Sequence, residues 1–183
     1  METKEKIFLT SLTPLFRPTW EELFMQEAFN ISQRSHCMEH KVGAVIACTE
    51  KGKQSIIKDG YNGPVKDAPH CDELGKCSRG NPKCVGSHAE INAIGNAASS
   101  SANITGAILF VTLSPCVECA KHVVNTGLSE VIYMEDYGDV CSPKKEEAEM
   151  ALDIIRRSKI CTKFKGRIIA PDPETKQPKI YYF

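Results

Sequence analysis

Apolar residues recur at helical spacing over 20–35, with Leu23, Phe24, Ala28 and Ile31 on one side. Thr19, followed three residues later by Glu22, is a capping-box pair that predicts where this helix opens. The run Val-Gly-Ala-Val-Ile-Ala-Cys at 42–48 has strand composition, a turn follows at 51–53, and a second strand runs through Ile56 and Ile57 toward Tyr61. Together they predict a hairpin. Over 62–86 the chain has four Gly, three Pro and three Cys and no period. A structureless stretch of this kind inside a compact domain is expected to be functional or to be held by something. Beyond it the pattern alternates: a helix over 87–98, a strand over 107–113, a helix over 115–126 stopped by Gly127, a strand over 130–134, a charged helix over 143–157 and a strand over 167–170. Such alternation implies crossover connections and a sheet that is parallel in its second half. Residues 1–18 hold three Thr and two Pro without a sustained period and are expected to form an N-terminal arm. Residues 19–183 then form a single domain.

Length and composition agree with one soluble domain. The chain has 183 residues, enough for a real core, and 42% hydrophobic with 25% charged residues excludes a disordered or fibrous chain. Its 23 basic side chains cancel its 23 acidic ones, which argues against a nucleic-acid binder that must displace counterions from phosphates. The uncharged stretch 91–117 contains three asparagines, several serines and Pro115, so no membrane span is expected there. Nine cysteines, at 37, 48, 71, 77, 84, 116, 119, 141 and 161, are the unusual number. The count is odd, and the opening Met-Glu-Thr-Lys-Glu-Lys is charged where an export signal needs an apolar core, so a cytoplasmic protein with reduced, metal-binding or reactive thiols is expected.

The chemistry concentrates in His88-Ala89-Glu90 and in Ser114-Pro115-Cys116-Val117-Glu118-Cys119. Ser114 can cap a helix and Pro115 suits its first position, which puts Cys116 in the first turn, where the helix dipole favours a thiolate. Cys119 follows on the same face. Ser87 can likewise cap a helix that presents His88 at its start. Three protein ligands leave a tetrahedral zinc with one open position, the arrangement of a catalytic site. Glu90, two residues past the histidine, is placed to move protons between a zinc-activated water and a substrate. The competing reading is a closed structural zinc site with Glu90 merely solvated, which would need a fourth protein ligand.

The pair H-x-E and P-C-x-x-C resembles the signature of zinc-dependent nucleobase deaminases. Arg34-Ser35-His36-Cys37, Lys41 to Ile46, Gly60-Tyr61-Asn62-Gly63, His70-Cys71, His88 to Ile94 and Thr112 to Cys116 are similar, in that order, to the motifs of deoxycytidylate (dCMP) deaminases, over about 34–137. The resemblance implies an α/β fold, a cytidine-deaminase-like three-layer α/β/α sandwich with a mixed sheet of about five strands. It implies that His88, Cys116 and Cys119 bind the catalytic zinc and that Glu90 is the general acid/base. Asn62 is then expected to contact the sugar, Tyr137 to line the nucleotide pocket, and Ala89 and Ser114 to meet the substrate. The implied reaction is hydrolytic: hydroxide attacks C4 of cytosine, Glu90 delivers a proton to N3 and then to the departing amine, and dCMP and water become dUMP and ammonia.

Two further expectations follow. Some relatives hold a second, structural zinc near the long loop, and Cys37, His70, Cys71, Cys77 and Cys84 are the residues that could do so here. Relatives commonly form dimers or hexamers and respond to dCTP and dTTP, so a homo-oligomer with these effectors is expected. Some relatives also carry an arginine soon after Asn-Ala-Ile, whereas 95–99 here carry no cation, which weakens the expectation of a phosphate-bearing substrate; Lys66, Arg79 and Lys83 are either the cations that meet a phosphate or ordinary solvated side chains. The alternatives are deamination of another free base or nucleoside such as cytidine or guanine, deamination of a polynucleotide, and a zinc-binding module without turnover. Cys48, Cys141, Cys161, His36, His40 and His122 are read as core or surface residues.

Overall fold

The structure, a computed structural model, describes residues 17–75, 85–140, 145–158 and 160–183. Helix α1 (Trp20–Ser32) opens as the sequence predicts. Thr19 Oγ1 accepts from the Glu22 amide at 3.1 Å, and Glu22 Oε2 accepts from the Thr19 amide at 2.9 Å. Strands β1 (Gly43–Cys48) and β2 (Ser55–Tyr61) make the expected antiparallel hairpin, with a register shift between Ile46 and Ala47.

The long irregular stretch is clamped at both ends. Strands β3 (Gly63–Pro64) and β4 (Gly86–Ser87) pair antiparallel, and the Val65 amide donates to the Val85 carbonyl at 3.1 Å. The two ends of the loop therefore leave and rejoin the fold at one place, beside His88. Then follow α2 (Ala89–Ser99), β5 (Ile108–Leu113), α3 (Val117–Val124), β6 (Glu130–Glu135), α4 (Tyr137–Val140), α5 (Lys145–Arg157), β7 (Cys161–Lys163), β8 (Arg167–Pro171) and β9 (Pro178–Tyr182).

The main sheet has the order β2-β1-β5-β6-β7. Its first three strands are antiparallel neighbours and its last three are parallel, so the sheet is mixed and parallel in its second half, as expected. The fifth strand, however, is β7, which carries no strand pattern in three residues. The strand at 167–170 instead pairs with β9 in a separate two-stranded hairpin.

Alternation along β1 sorts its side chains between two cores. Ala44 and Ile46 pack with Ala93 of α2, Val123 of α3 and Leu152 of α5, whereas Val45 and Ala47 pack with Phe24 and Ala28 of α1. Ile168 of β8 joins this second core. The result is three layers, with α2, α3 and α5 on one face and α1 with the β8–β9 hairpin on the other. Residues 1–16 of the expected arm lie outside the described residues. No helix among the described residues is long and apolar enough to cross a membrane.

Candidate active site

The start of α2 and the start of α3 meet at the carboxyl end of β5, where open α/β sheets hold their ligands. His88 and Cys116 are the N-cap residues of these two helices. Both have extended backbones, with ψ of 155° and 172°, and neither side chain makes a capping hydrogen bond. This corrects the sequence-based placement: Ser87 does not cap α2, and Cys116 precedes the first turn of α3 rather than lying within it. The side chains are left to face each other. His88 Nδ1 lies 3.4 Å from Cys116 Sγ and 3.3 Å from Cys119 Sγ.

The three ligand atoms all fall within 4.8 Å of one another, and this is the only such His/Cys/Asp/Glu group among the described residues. An imidazole and two sulfurs are the donors zinc favours. The electrostatics agree. The Cys119 thiol beside Cys116, helped by His88, outweighs burial and pulls the Cys116 thiol down to about 3, so one sulfur is a thiolate. The same contact, together with burial, holds Cys119 protonated. Two sulfurs thus share one proton, and a dication can stabilise both as thiolates in its place. The residues present therefore fit zinc.

Glu90, in the first turn of α2, lines a cavity together with these three residues and is only 3% exposed. Burial pushes its carboxyl up to about 7, against the opposing pull of its own amide and His88. A carboxyl group poised near neutrality can both take and give a proton.

The cavity has a volume of about 550 Å³, room for a nucleotide-sized ligand, and Asn62, Ala89, Ser114 and Tyr137 all line it with Glu90 and the three ligand residues. Ser114 does not act as a helix cap; its Oγ accepts from the Tyr137 amide at 2.8 Å and so fixes the start of α4 against the end of β5. Asn62 is committed to the main chain. Its Oδ1 accepts from the Val42 amide at 2.8 Å and its Nδ2 donates to the His40 carbonyl at 2.8 Å, leaving one N–H for a ligand. These bonds shape the wall segment 35–42, where Ser35 Oγ donates to the Asn62 carbonyl at 2.8 Å.

His40, read from the sequence as packed or solvated, is a wall residue whose ring meets Tyr137 edge-on with centroids 6.4 Å apart. Glu39, His122 and Glu147 also reach the cavity. Glu39 comes from a loop and Glu147 from the first turn of α5, so no spacing announces them. His122, three residues past Cys119 on α3, lines the cavity beside it.

The residues expected for a second metal are divided. Cys37 and Cys71 line the same cavity, His70 lies tilted against His36 with ring centroids 4.2 Å apart, and Cys77 and Cys84 lie outside the described residues. Cys37, His70 and Cys71 alone do not form a three-ligand group. Lys66 is exposed and off the cavity wall, and Arg79 and Lys83 also lie outside the described residues.

Comparison with known proteins places this geometry. The family described as the cytidine and deoxycytidylate deaminase zinc-binding region matches residues 18–135. The deoxycytidylate deaminase of Saccharomyces cerevisiae is 34% identical over 143 residues, covering 75% of this chain and 43% of the relative. ComE operon protein 2 of Bacillus subtilis is 31% identical over 157 residues, covering 79% of this chain and 80% of the relative. The chain thus spans less than half the length of the yeast relative. Among solved structures, the dCMP deaminase of cyanophage S-TIM5 in complex with dCMP and dUMP superposes with a TM-score of 0.65 at 28% identity, covering 81% of this chain and 99% of that one. The buried Glu90 beside a His, Cys, Cys ligand set therefore stands within a known lineage, and the chain belongs to the zinc-binding cytidine and deoxycytidylate deaminase family.

Proposed function

We propose that this protein catalyses the hydrolytic deamination of dCMP to dUMP and ammonia, as a single catalytic domain over 19–183. The observation that carries this reading is the convergence of His88, Cys116 and Cys119 beside a buried Glu90 in one nucleotide-sized cavity. His88 Nδ1 and the two sulfurs would hold zinc. Bound there, the metal supplies a Lewis acid that makes hydroxide available near neutral pH. Glu90 takes the proton released from water and passes it to N3 of the cytosine ring as C4 is attacked, then moves the proton of the new C4 hydroxyl to the amino group, which leaves as ammonia as C4 becomes a carbonyl. One water is consumed and the C4–N bond breaks. Asn62, with its remaining N–H, and the Tyr137 ring orient the nucleotide, while Ala89 and Ser114 border the ring.

The substrate choice draws support from the S-TIM5 enzyme, whose structure holds dCMP and dUMP, and from curated relatives that are deoxycytidylate deaminases. A homo-oligomer, dCTP and dTTP as effectors, and a cytoplasmic setting belong to the same proposal.

One observation favours a second reading. Among the described residues that line the cavity there is no lysine or arginine, whereas Glu39, Glu118 and Glu147 are present. A deaminase of the uncharged nucleoside would suit that wall. Comparing turnover of dCMP, deoxycytidine and CMP separates the two: the main reading expects dCMP to be preferred, and equal rates with deoxycytidine would remove phosphate recognition.

A further inference from the structure

The first turn of α2 bears Ala89 and Glu90, directly after His88, and the bonds that hold this helix down lie on the turns that follow. Asn92 Nδ2 donates to the Tyr61 carbonyl at 2.7 Å, and Asn96 Nδ2 donates to the Asp59 carbonyl at 2.9 Å. Both acceptors belong to β2, the edge strand of the main sheet. Four residues of helix rise about 6 Å and two residues of strand span about 6.6 Å, so the two asparagines are in register with two like-facing carbonyls.

Between those carbonyls stands Gly60. A Cβ there would lie 2.7 Å from the Ala89 carbonyl and inside contact distance of the Ala93 amide nitrogen, both backbone atoms that cannot swing aside. Ala89 is the residue between His88 and Glu90. Any lift or roll of α2 over β2 is therefore passed directly to a metal ligand and to the proton-transfer residue.

We propose that Gly60, Asn92 and Asn96 key α2 onto β2 and thereby set the position of His88 and Glu90, which makes them positioning residues for the site. The inference rests on the deaminase reading for its kinetic measurement and not for its metal measurement.

The test compares the native protein with Asn92→Ala and Asn96→Ala, measuring zinc retention against a competing chelator, kcat and KM for dCMP, and melting temperature. Asn92→Ala is expected to weaken zinc retention about 10- to 100-fold, as loss of a group that orients a ligand does. It is also expected to lower kcat about tenfold or more with KM changed by less than about threefold, the signature of displaced chemistry with binding intact. Asn96→Ala, one turn farther away, is expected to move both quantities the same way by about threefold. Should Asn92→Ala fail to fold, the Asn96→Ala values decide alone. Native zinc retention and native kcat in the variants, with only the melting temperature lowered, overturn the proposal. If the native protein does not deaminate dCMP, the functional reading fails and the zinc measurement still decides this one.

Discussion

Glu90 is a carboxyl group almost without water around it, held near neutrality by burial. Replacing it with glutamine keeps the shape and removes the proton transfer. Glu90→Gln is therefore expected to retain zinc and fold while turnover falls by about 10²- to 10⁴-fold. The ligands give the opposite pattern. Cys119→Ala leaves His88 and Cys116 as the only two of the three donors, and zinc content measured by elemental analysis is expected to fall well below that of the native protein, with activity lost alongside it. These four candidates were legible in the sequence as two local pairs, His88 with Glu90 and Cys116 with Cys119, at spacings of two and three residues; that the pairs meet across 28 residues comes from the sheet. The wall residues were not. His40 lines the cavity with its carbonyl bonded to Asn62, 22 residues away in the chain, and no pattern in the sequence encodes that bond.

At the scale of elements, α1 is joined to the C-terminal hairpin through Glu22. The carboxylate caps its own helix and also receives Arg167 Nε at 2.9 Å. Glu22→Ala removes cap and ion pair together and is expected to cost about 2 kcal/mol in denaturant unfolding, with Arg167→Ala less than additive to it. Burial raises the Glu22 pKa, but the Thr19 amide and Arg167 outweigh it, so the folded value lies below the ordinary 4.5. The unfolded chain takes the proton first as pH falls. Stability from this group is thus present above about pH 4.5 and lost as pH falls through the lower folded value. The acid limb of the stability curve is expected to be shallower in Glu22→Gln. A second close approach tests the other face: a Cβ on Gly43 would sit 2.7 Å from the Ser32 amide nitrogen, so Gly43→Ala is expected to push α1 off the sheet at a cost of about 1–3 kcal/mol. Long periodic elements such as α1, β1, β5 and α5 were readable from sequence. The edge strand β7 was not, because Cys161-Thr162-Lys163 becomes a strand only by pairing with β6.

For the molecule as a whole, the order β2-β1-β5-β6-β7 explains how residues far apart in sequence share one cavity. The parallel pair β5 and β6 ends on the same side, delivering Cys116 from one strand and Tyr137 from the other, while the clamp of β3 on β4 delivers His88. The parallel second half of the sheet followed from the alternation of strands and helices, and the three-layer architecture from the resemblance to deoxycytidylate deaminases. Which strand filled the fifth place depended on tertiary pairing, as did the use of Cys37 and Cys71 on the cavity wall. The most direct test of the central claim is release of ammonia from dCMP by the zinc-loaded protein, followed alongside formation of dUMP. The account predicts equal amounts of the two products, with the rate abolished by removal of zinc and lowered about 10²- to 10⁴-fold by Glu90→Gln. Absence of both products from folded protein carrying zinc, or undiminished turnover in Glu90→Gln, would contradict it.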